Sequence, residues 1–255
     1  MARSTRESGA TTARRKRRFA WRRPNLRWPR NRWLKRLLIV ALALLFAPVP
    51  VILLMAVVNP PTTSIMLQRT ASRLWNGKRP VVPRHDPVSH AKLSPHLHRA
   101  VLASEDDRFY LHHGVDLVEI EKALARRRAG GGLRGASTLT QQVAKNVFLW
   151  NGRSYIRKGL ELYLALWMEL LLTKERILDL YLNLAEWGDG VFGAEAAARA
   201  HFGKSAALLS RDEAARLAAI LPSPVRWSPK GSVATRRAGV ILARMRFAAP
   251  RTKPR

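Results

Sequence analysis

Residues 37–58 form a run of 22 residues without a charged side chain, which leaves few options for how this part of the chain can fold. As a helix rising 1.5 Å per residue, the run spans about 33 Å, enough to cross a hydrocarbon core of about 30 Å. Pro48 and Pro50 predict a kink, which membrane helices tolerate better than soluble ones. A cleaved signal peptide is the rival reading. The apolar part of such a peptide usually runs about 7–15 residues, and the end here, Ala56-Val57-Val58-Asn59, lacks an A-x-A pattern. The run reads as a single-pass signal anchor.

Charge then assigns the two sides. The chain carries 46 Lys and Arg against 17 Asp and Glu, a net +29, which points to anionic partners. Nucleic acid, anionic lipid and phosphorylated substrates all qualify on the total alone. Residues 1–36 hold 14 of the basic residues and one acid, Glu7, with Arg14-Arg15-Lys16-Arg17-Arg18 the densest stretch. In isolation such an arm resembles a nucleic-acid tail. Placed directly before an anchor, it is a cytoplasmic flank lying against anionic headgroups, with the rest of the chain exported. No nucleic acid is then needed as a partner. The arm carries +13 and the exported part +16. The absence of cysteine excludes a disulfide framework, a thiolate metal site and a Cys nucleophile, and suits an oxidising compartment.

Beyond a linker at Asn59-Pro60-Pro61-Thr62-Thr63, residues 75–87 are rich in Pro and basic residues and lack helical spacing. From Ser94-Pro95, an N-cap followed by Pro at the first helical position, the pattern turns helical. Helices are predicted over 96–103 and 116–128, from Ser137 onward, and over 154–172, 173–186 and 233–247. Another begins at the capping-box spacing Ser210-Arg211-Asp212-Glu213 and stops at Pro222. Alternating strand patterns are scarce. The exported part is predicted to be mainly α-helical.

Chemistry enters at Ser104-Glu105-Asp106-Asp107-Arg108-Phe109-Tyr110-Leu111-His112-His113-Gly114, where three acids end an apolar helix. The bland reading is a solvated helix end. Metal binding by Asp106, Asp107, His112 and His113 is the other, and their spacing matches no strong metal motif such as H-E-x-x-H. Gly130 and Gly135 have P-loop spacing, but Ala136 stands where the essential Lys belongs and a helix precedes them. The glycines instead predict a loop into a helix N-terminus. On that helix Thr138 and Gln142, and Gln141 and Lys145, lie four residues apart and stack on one side. An uncharged face ending in one Lys suits sugar hydroxyls and an anion. Ser89-His90-Ala91-Lys92 matches S-x-x-K, but no K-T-G follows, and the match reads as coincidence.

Five stretches in order resemble the signatures of the family 51 glycosyltransferases, the peptidoglycan transglycosylases. They are Glu105-Asp106-x-x-Phe109-x-x-His112-x-Gly114; residues 135–146 from Gly135 to Lys145-Asn146; Arg157-Lys158-x-x-Glu161; residues 174–183 from Lys174 to Asn183; and residues 193–204 from Gly193 to Lys204. Leu221-Pro222-Ser223-Pro224 and Pro229 resemble the closing segment. Ala136 and His201 depart from the Gly and Tyr usual there. Residues 185–193 resemble the monofunctional biosynthetic branch of Gram-negative bacteria, and the residues remaining before Arg255 are too few for a penicillin-binding transpeptidase domain.

The resemblance implies a mainly α, lysozyme-like glycosyltransferase domain with a small membrane-proximal jaw, preceded by one transmembrane helix. The implied division is a basic cytoplasmic arm 1–36, an anchor 37–58, a linker and jaw 59–90, a catalytic core 91–232, and a C-terminal helix and tail 233–255. Trp75 and Val81-Val82 would add apolar surface to the jaw. The implied activity polymerises lipid II into β-1,4-linked glycan with inversion and release of undecaprenyl pyrophosphate, at an inner membrane with the catalytic domain in the periplasm. Carried over residue by residue, Glu105 matches the general base, and Lys145 and Arg153 match a pyrophosphate-binding pair, with Arg157 and Lys158 beside them. Glu161 matches a second essential glutamate, which orients substrate or holds a divalent cation such as Mg or Mn near the pyrophosphate. Without the resemblance, Glu161 reads as a salt-bridge partner of Lys158. Ser137, Thr138, Gln141, Gln142, Asn146, Phe109 and His112 are the further substrate-binding residues, and no organic cofactor is implied. Lys174 and Asn183 would brace helices, and Gly193 would allow close packing. Lipid II, the nascent glycan, anionic membrane lipid and other wall-synthesis or division proteins are the implied partners. A lytic murein-cleaving enzyme and a non-catalytic membrane scaffold are the alternatives, and the full cation set with Glu105 weighs against both.

Overall fold

A computed structural model describes residues 31–77, 83–131, 135–152 and 154–247. The expectations for the rest of the basic arm, Val81-Val82, Arg153 and the end of the tail lie outside the described residues. The chain divides into two compact units, Met1–Leu45 and Phe46–Arg255. In the first, α1 (Arg32–Phe46) begins and buries none of its own residues. It starts five residues before the uncharged run, so Arg32, Lys35 and Arg36 stand on its first turns. After a turn at Ala47-Pro48 comes α2 (Val49–Met55), and the stretch Arg32–Met55 is long and apolar enough to cross a membrane. The chain is consistent with a single-pass membrane protein.

In the second unit, α2 turns Ile52 and Met55 inward against α7 (Tyr155–Leu171). Arg176 Nε donates to the Met55 carbonyl at 2.7 Å, tying the end of the apolar stretch to α8 (Lys174–Leu184). The sequence reading named no helix between Thr63 and Trp75, yet α3 (Ser64–Trp75) occupies that span. Thr63 caps it, Ile65 and Met66 enter the core, and distant polar contacts hold it as well. Gln68 Nε2 donates to the Leu149 carbonyl at 2.9 Å, and Arg69 pairs with Glu186 at 2.7 Å. Trp75, at its end, is 92% exposed.

The predicted helices appear at their caps. Ser94 opens α4 (Pro95–Glu105), Asp116 opens α5 (Leu117–Arg128), and Thr138 rather than Ser137 opens α6 (Leu139–Phe148). Ser154 and Thr173 cap α7 and α8. α9 (Ala194–Phe202) follows, and Ser210 and Glu213 close a full capping box on α10 (Arg211–Ile220) before α11 (Ser232–Arg244) ends the described helices. Each side-chain cap stabilises its helix by about 1 kcal/mol. Helix α9 escaped the sequence reading because small alanines give no amphipathic stripe. Glu186, expected at the end of α8, instead opens a strand over Glu186–Gly188. It joins a short sheet in the order β1 (Arg84–His85), β3 (Val191–Phe192), β2 (Glu186–Gly188), with β1 parallel and β2 antiparallel to β3. Strands of two or three residues are too short to show a period.

Helix α8 sits at the centre, buried on all sides from Ile177 to Leu184. Its polar residues must therefore find partners inside the protein. Asn183 receives Val88 N–H at 2.9 Å and donates to the Val88 carbonyl at 3.0 Å, fixing the segment that leads into α4. Burial pushes the Asp179 carboxyl up, with Arg176 opposing. Gly193 passes so close that a Cβ there would lie 2.8 Å from the Asn183 carbonyl, and its φ of +84° with ψ of 151° is a glycine conformation. The brace expected at Asn183 and the close packing expected at Gly193 are thus in place. Gly193→Ala is expected to lower stability by about 2–4 kcal/mol, read as a fall in melting temperature; an unchanged melt would refute the close approach.

Candidate active site

Helix α4 ends at Glu105, and Asp106 turns the chain away. The Asp106 carboxylate is buried and accepts from His112 Nε2 at 3.0 and 3.1 Å and from Leu139 N–H at 2.9 Å. Leu139 is the first residue of α6, so one carboxylate fixes the end of α4 to the start of α6. Phe109, fully buried, lies edge-on to His112 and carries the Lys174 ammonium over its ring at 4.4 Å. Lys174 also pairs with Glu169 at 2.8 Å, and so braces the helices as expected.

Glu105 stands at the mouth of this arrangement, partly open to solvent. Its Oε2 accepts from Gln142 Nε2 at 3.1 Å, and its Oε1 lies 3.1 Å from the Ser104 hydroxyl, which also reaches the Ala218 carbonyl at 3.3 Å. Burial pushes the Glu105 carboxyl above the usual carboxylate range; the bonds from Gln142 and Ser104 and the charge of Arg237 oppose the rise, and Asp106 adds to it. Tyr181, on α8, donates to Gln142 Oε1 at 3.3 Å. That bond turns the amide nitrogen of Gln142 toward the carboxylate.

One face of α6 continues to a cluster of cations. Glu161 on α7 is buried, and its two oxygens are taken by Arg157, at 2.6 Å, and by Lys158. Lys158 spends its other donors on Ser137 Oγ at 3.0 Å and Gln141 Oε1 at 2.9 Å. Lys145 is half-buried, and among the described residues no hydrogen bond or ion pair holds its ammonium. Burial pushes the Lys145 ammonium down, with Glu161 opposing and Arg157 adding to the fall. Three cations around one carboxylate, at the N-terminal turn of a 17-residue helix, favour an anion.

The structure therefore sorts the residues expected from the sequence. It brings Glu105 and Gln142 together, and separately Ser137, Gln141, Arg157, Lys158 and Glu161. Lys145 and Asn146 lie on α6 between the two groups and the end of the helix. Thr138 caps α6 and donates to the Gly114 carbonyl at 2.7 Å; Phe109 and His112 are likewise turned inward. These three are buried against their protein partners. The salt-bridge reading of Glu161 is realised, with Arg157 as a second partner. For a metal, Asp106 and His112 do gather, with Asp116 in place of the exposed Asp107 and His113, their ligand atoms within 4.8 Å of one another. Each already has protein partners: Asp116 receives Glu119 N–H at 3.1 Å and Arg108 at 2.9 Å. This is a structural brace.

Sequence reasoning missed Tyr181 and Glu169. Tyr181 sits within the fourth signature, and its spacing from Asn183 gave no hint of Gln142. Glu169 is an acid late in an apolar helix, a position that asks for a buried partner; it has two, Lys174 and Thr140. Asp106 and Asp107, adjacent in sequence, make a clean contrast. Asp106→Ala is expected to lose about 2–4 kcal/mol of stability by orphaning His112 and Leu139 N–H, whereas Asp107→Ala changes the melt by no more than about 0.5 kcal/mol. Equal melts for the two variants would sink this assignment.

The Transglycosylase family profile matches residues 76–246. A biosynthetic peptidoglycan transglycosylase from Pseudomonas putida (strain KT2440) is 53% identical over 191 residues, covering 74% of this chain and 80% of its own. One from Pseudomonas entomophila is 51% identical over 200 residues, covering 77% and 84%. One from Rhodospirillum centenum is 51% identical over 211 residues, covering 82% and 85%. Glu105, Gln142, Lys145 and the Glu161 cluster all fall inside the matched span, and the chain belongs to the peptidoglycan transglycosylase family.

Proposed function

We propose that this glycosyltransferase extends peptidoglycan from lipid II, with Glu105 as general base and the α6–α7 cations as the pyrophosphate site. The carrying observation is a division of labour along one helix. Gln142 touches Glu105, and Lys145 follows three residues later, about 4.5 Å further along the axis. The residue that touches the carboxylate and an uncommitted ammonium thus lie three residues apart on one side of α6.

In this reading the 4-hydroxyl of the acceptor GlcNAc attacks the anomeric carbon of the lipid-linked MurNAc. Glu105 takes the hydroxyl proton as the new C–O bond forms. The bond to the pyrophosphate breaks on the opposite face, so the centre inverts, and undecaprenyl pyrophosphate leaves with the electron pair. Lys145, Arg157, Arg153 and the α7 N-terminus offset the charge that develops there. The leaving group needs no proton, unlike the alkoxide of a glycosidase, which requires a second carboxylic acid. Glu161 serves as counter-charge, holding Arg157 and Lys158 in position. Its surroundings do not suit a divalent ion, because both oxygens are occupied by cations and no second carboxylate joins them, so no step runs through a metal. Outward-facing Leu166 and Leu170 on α7, which packs on α2, would lie toward the membrane that delivers the lipid. The N-terminal arm would be cytoplasmic and this domain periplasmic.

Labelled lipid II given to the purified full chain is expected to yield polymer, with Glu105→Gln lowering the rate about 10²–10⁴-fold. Polymer at equal rates would overturn the base assignment, and release of short fragments from mature glycan would favour a lytic enzyme. Two shifted groups also set a pH window. Activity requires Glu105 ionised, so the acidic limb should lie above the usual Glu value of about 4.3. It requires Lys145 protonated, so the alkaline limb should lie below the usual Lys value of about 10.4. An alkaline limb unmoved in Lys145→Arg would remove Lys145 from that role.

A further inference from the structure

Glu105 receives a neutral amide from α6, Gln142, and the buried phenol of Tyr181 stands behind it on α8, its ionisation pushed well up by burial. The remaining neighbours work against a negative charge. Asp106 follows Glu105 directly, and the Ala218 carbonyl that Ser104 reaches belongs to the last turn of α10, the negative end of that helix. Among these groups the opposing cation is Arg237 of α11, a residue outside the five signatures.

Arg237 is held in place by two contacts. Its Nε donates to the Ala219 carbonyl at 3.0 Å, one residue beyond the carbonyl that Ser104 shares, and its guanidinium stacks on Trp227 at 5.4 Å from the ring centroid. The guanidinium and the hydroxyl beside the base thus sit on adjacent carbonyls at the same end of α10. We propose that Arg237 is a positioning residue for the reaction: fixed at the α10 terminus behind Ser104, it offsets the negative end of that helix and supplies the positive charge beside the Glu105 carboxylate. The proposal rests on the reading of Glu105 as base. The residue type suits the task, since a planar guanidinium bonds a carbonyl, stacks on an indole and stays charged at every working pH.

The test is the pH dependence of lipid II polymerisation by the full chain, with melting temperatures measured alongside. Arg237→Gln keeps a donor for Ala219 without the charge, and Arg237→Met keeps the stem over Trp227. Both are expected to move the acidic limb upward by about 0.5–1 pH unit, with less than about twofold change in KM for lipid II. Arg237→Lys should leave the limb near its native position. Arg236→Gln, which removes the same charge from an exposed site on α11, should leave it unchanged. A uniform loss of rate with an unmoved limb overturns the proposal, as does an equal shift in Arg236→Gln. Glu105→Gln separates the two claims: if it polymerises normally, the base reading fails; if it is inactive while the Arg237 limb stays fixed, only the role of Arg237 fails.

Discussion

The buried carboxylate of Asp106 is the fixed point of the site. It binds His112 on one side and the first N–H of α6 on the other, and so sets where α6 begins relative to the end of α4. The other alignments follow from that junction. With α6 in place, Gln142 meets Glu105, Gln141 meets Lys158, and Lys145 stands uncommitted between the two groups. A shift of one helical residue, 1.5 Å in rise and about 100° in rotation, would turn these side chains away together. A buried ionic acceptor with several donors resists such a shift, because losing any one leaves an unsatisfied group in a low-dielectric interior.

The parts of the fold written in local sequence were legible, and the parts held by distant contacts were not. Ser94, Asp116, Ser154, Thr173 and Ser210 mark helix starts because a cap is a relation among four consecutive residues. Helix α3 has its own cap at Thr63, but it is also tied to Glu186 and Leu149, more than 80 residues away, and those contacts leave no mark in its local sequence. The short sheet and the alanine-rich α9 were illegible for the same reason: their order comes from what surrounds them. At the site, the resemblance supplied residue types, while the structure supplied their contacts and burial. Thr138, Phe109 and His112 come from the same set of signatures as Glu105, yet they are buried where Glu105 is partly exposed.

The two signature glutamates show how surroundings assign function. Glu161 has a cation on each oxygen, so both of its acceptor oxygens are already engaged inside the protein. Glu105 has no salt bridge among the described residues; its partners are an amide and a hydroxyl, and burial raises its proton affinity. That combination is what the general base proposed for this site requires, a carboxylate with an oxygen not held by a cation. The same contrast explains why a transferase of this kind manages with one proton-handling group. In the proposed reaction the leaving group is an anion that cations stabilise directly, which would free the second glutamate to organise the cations of α7 while the base stands apart from them at the end of α4.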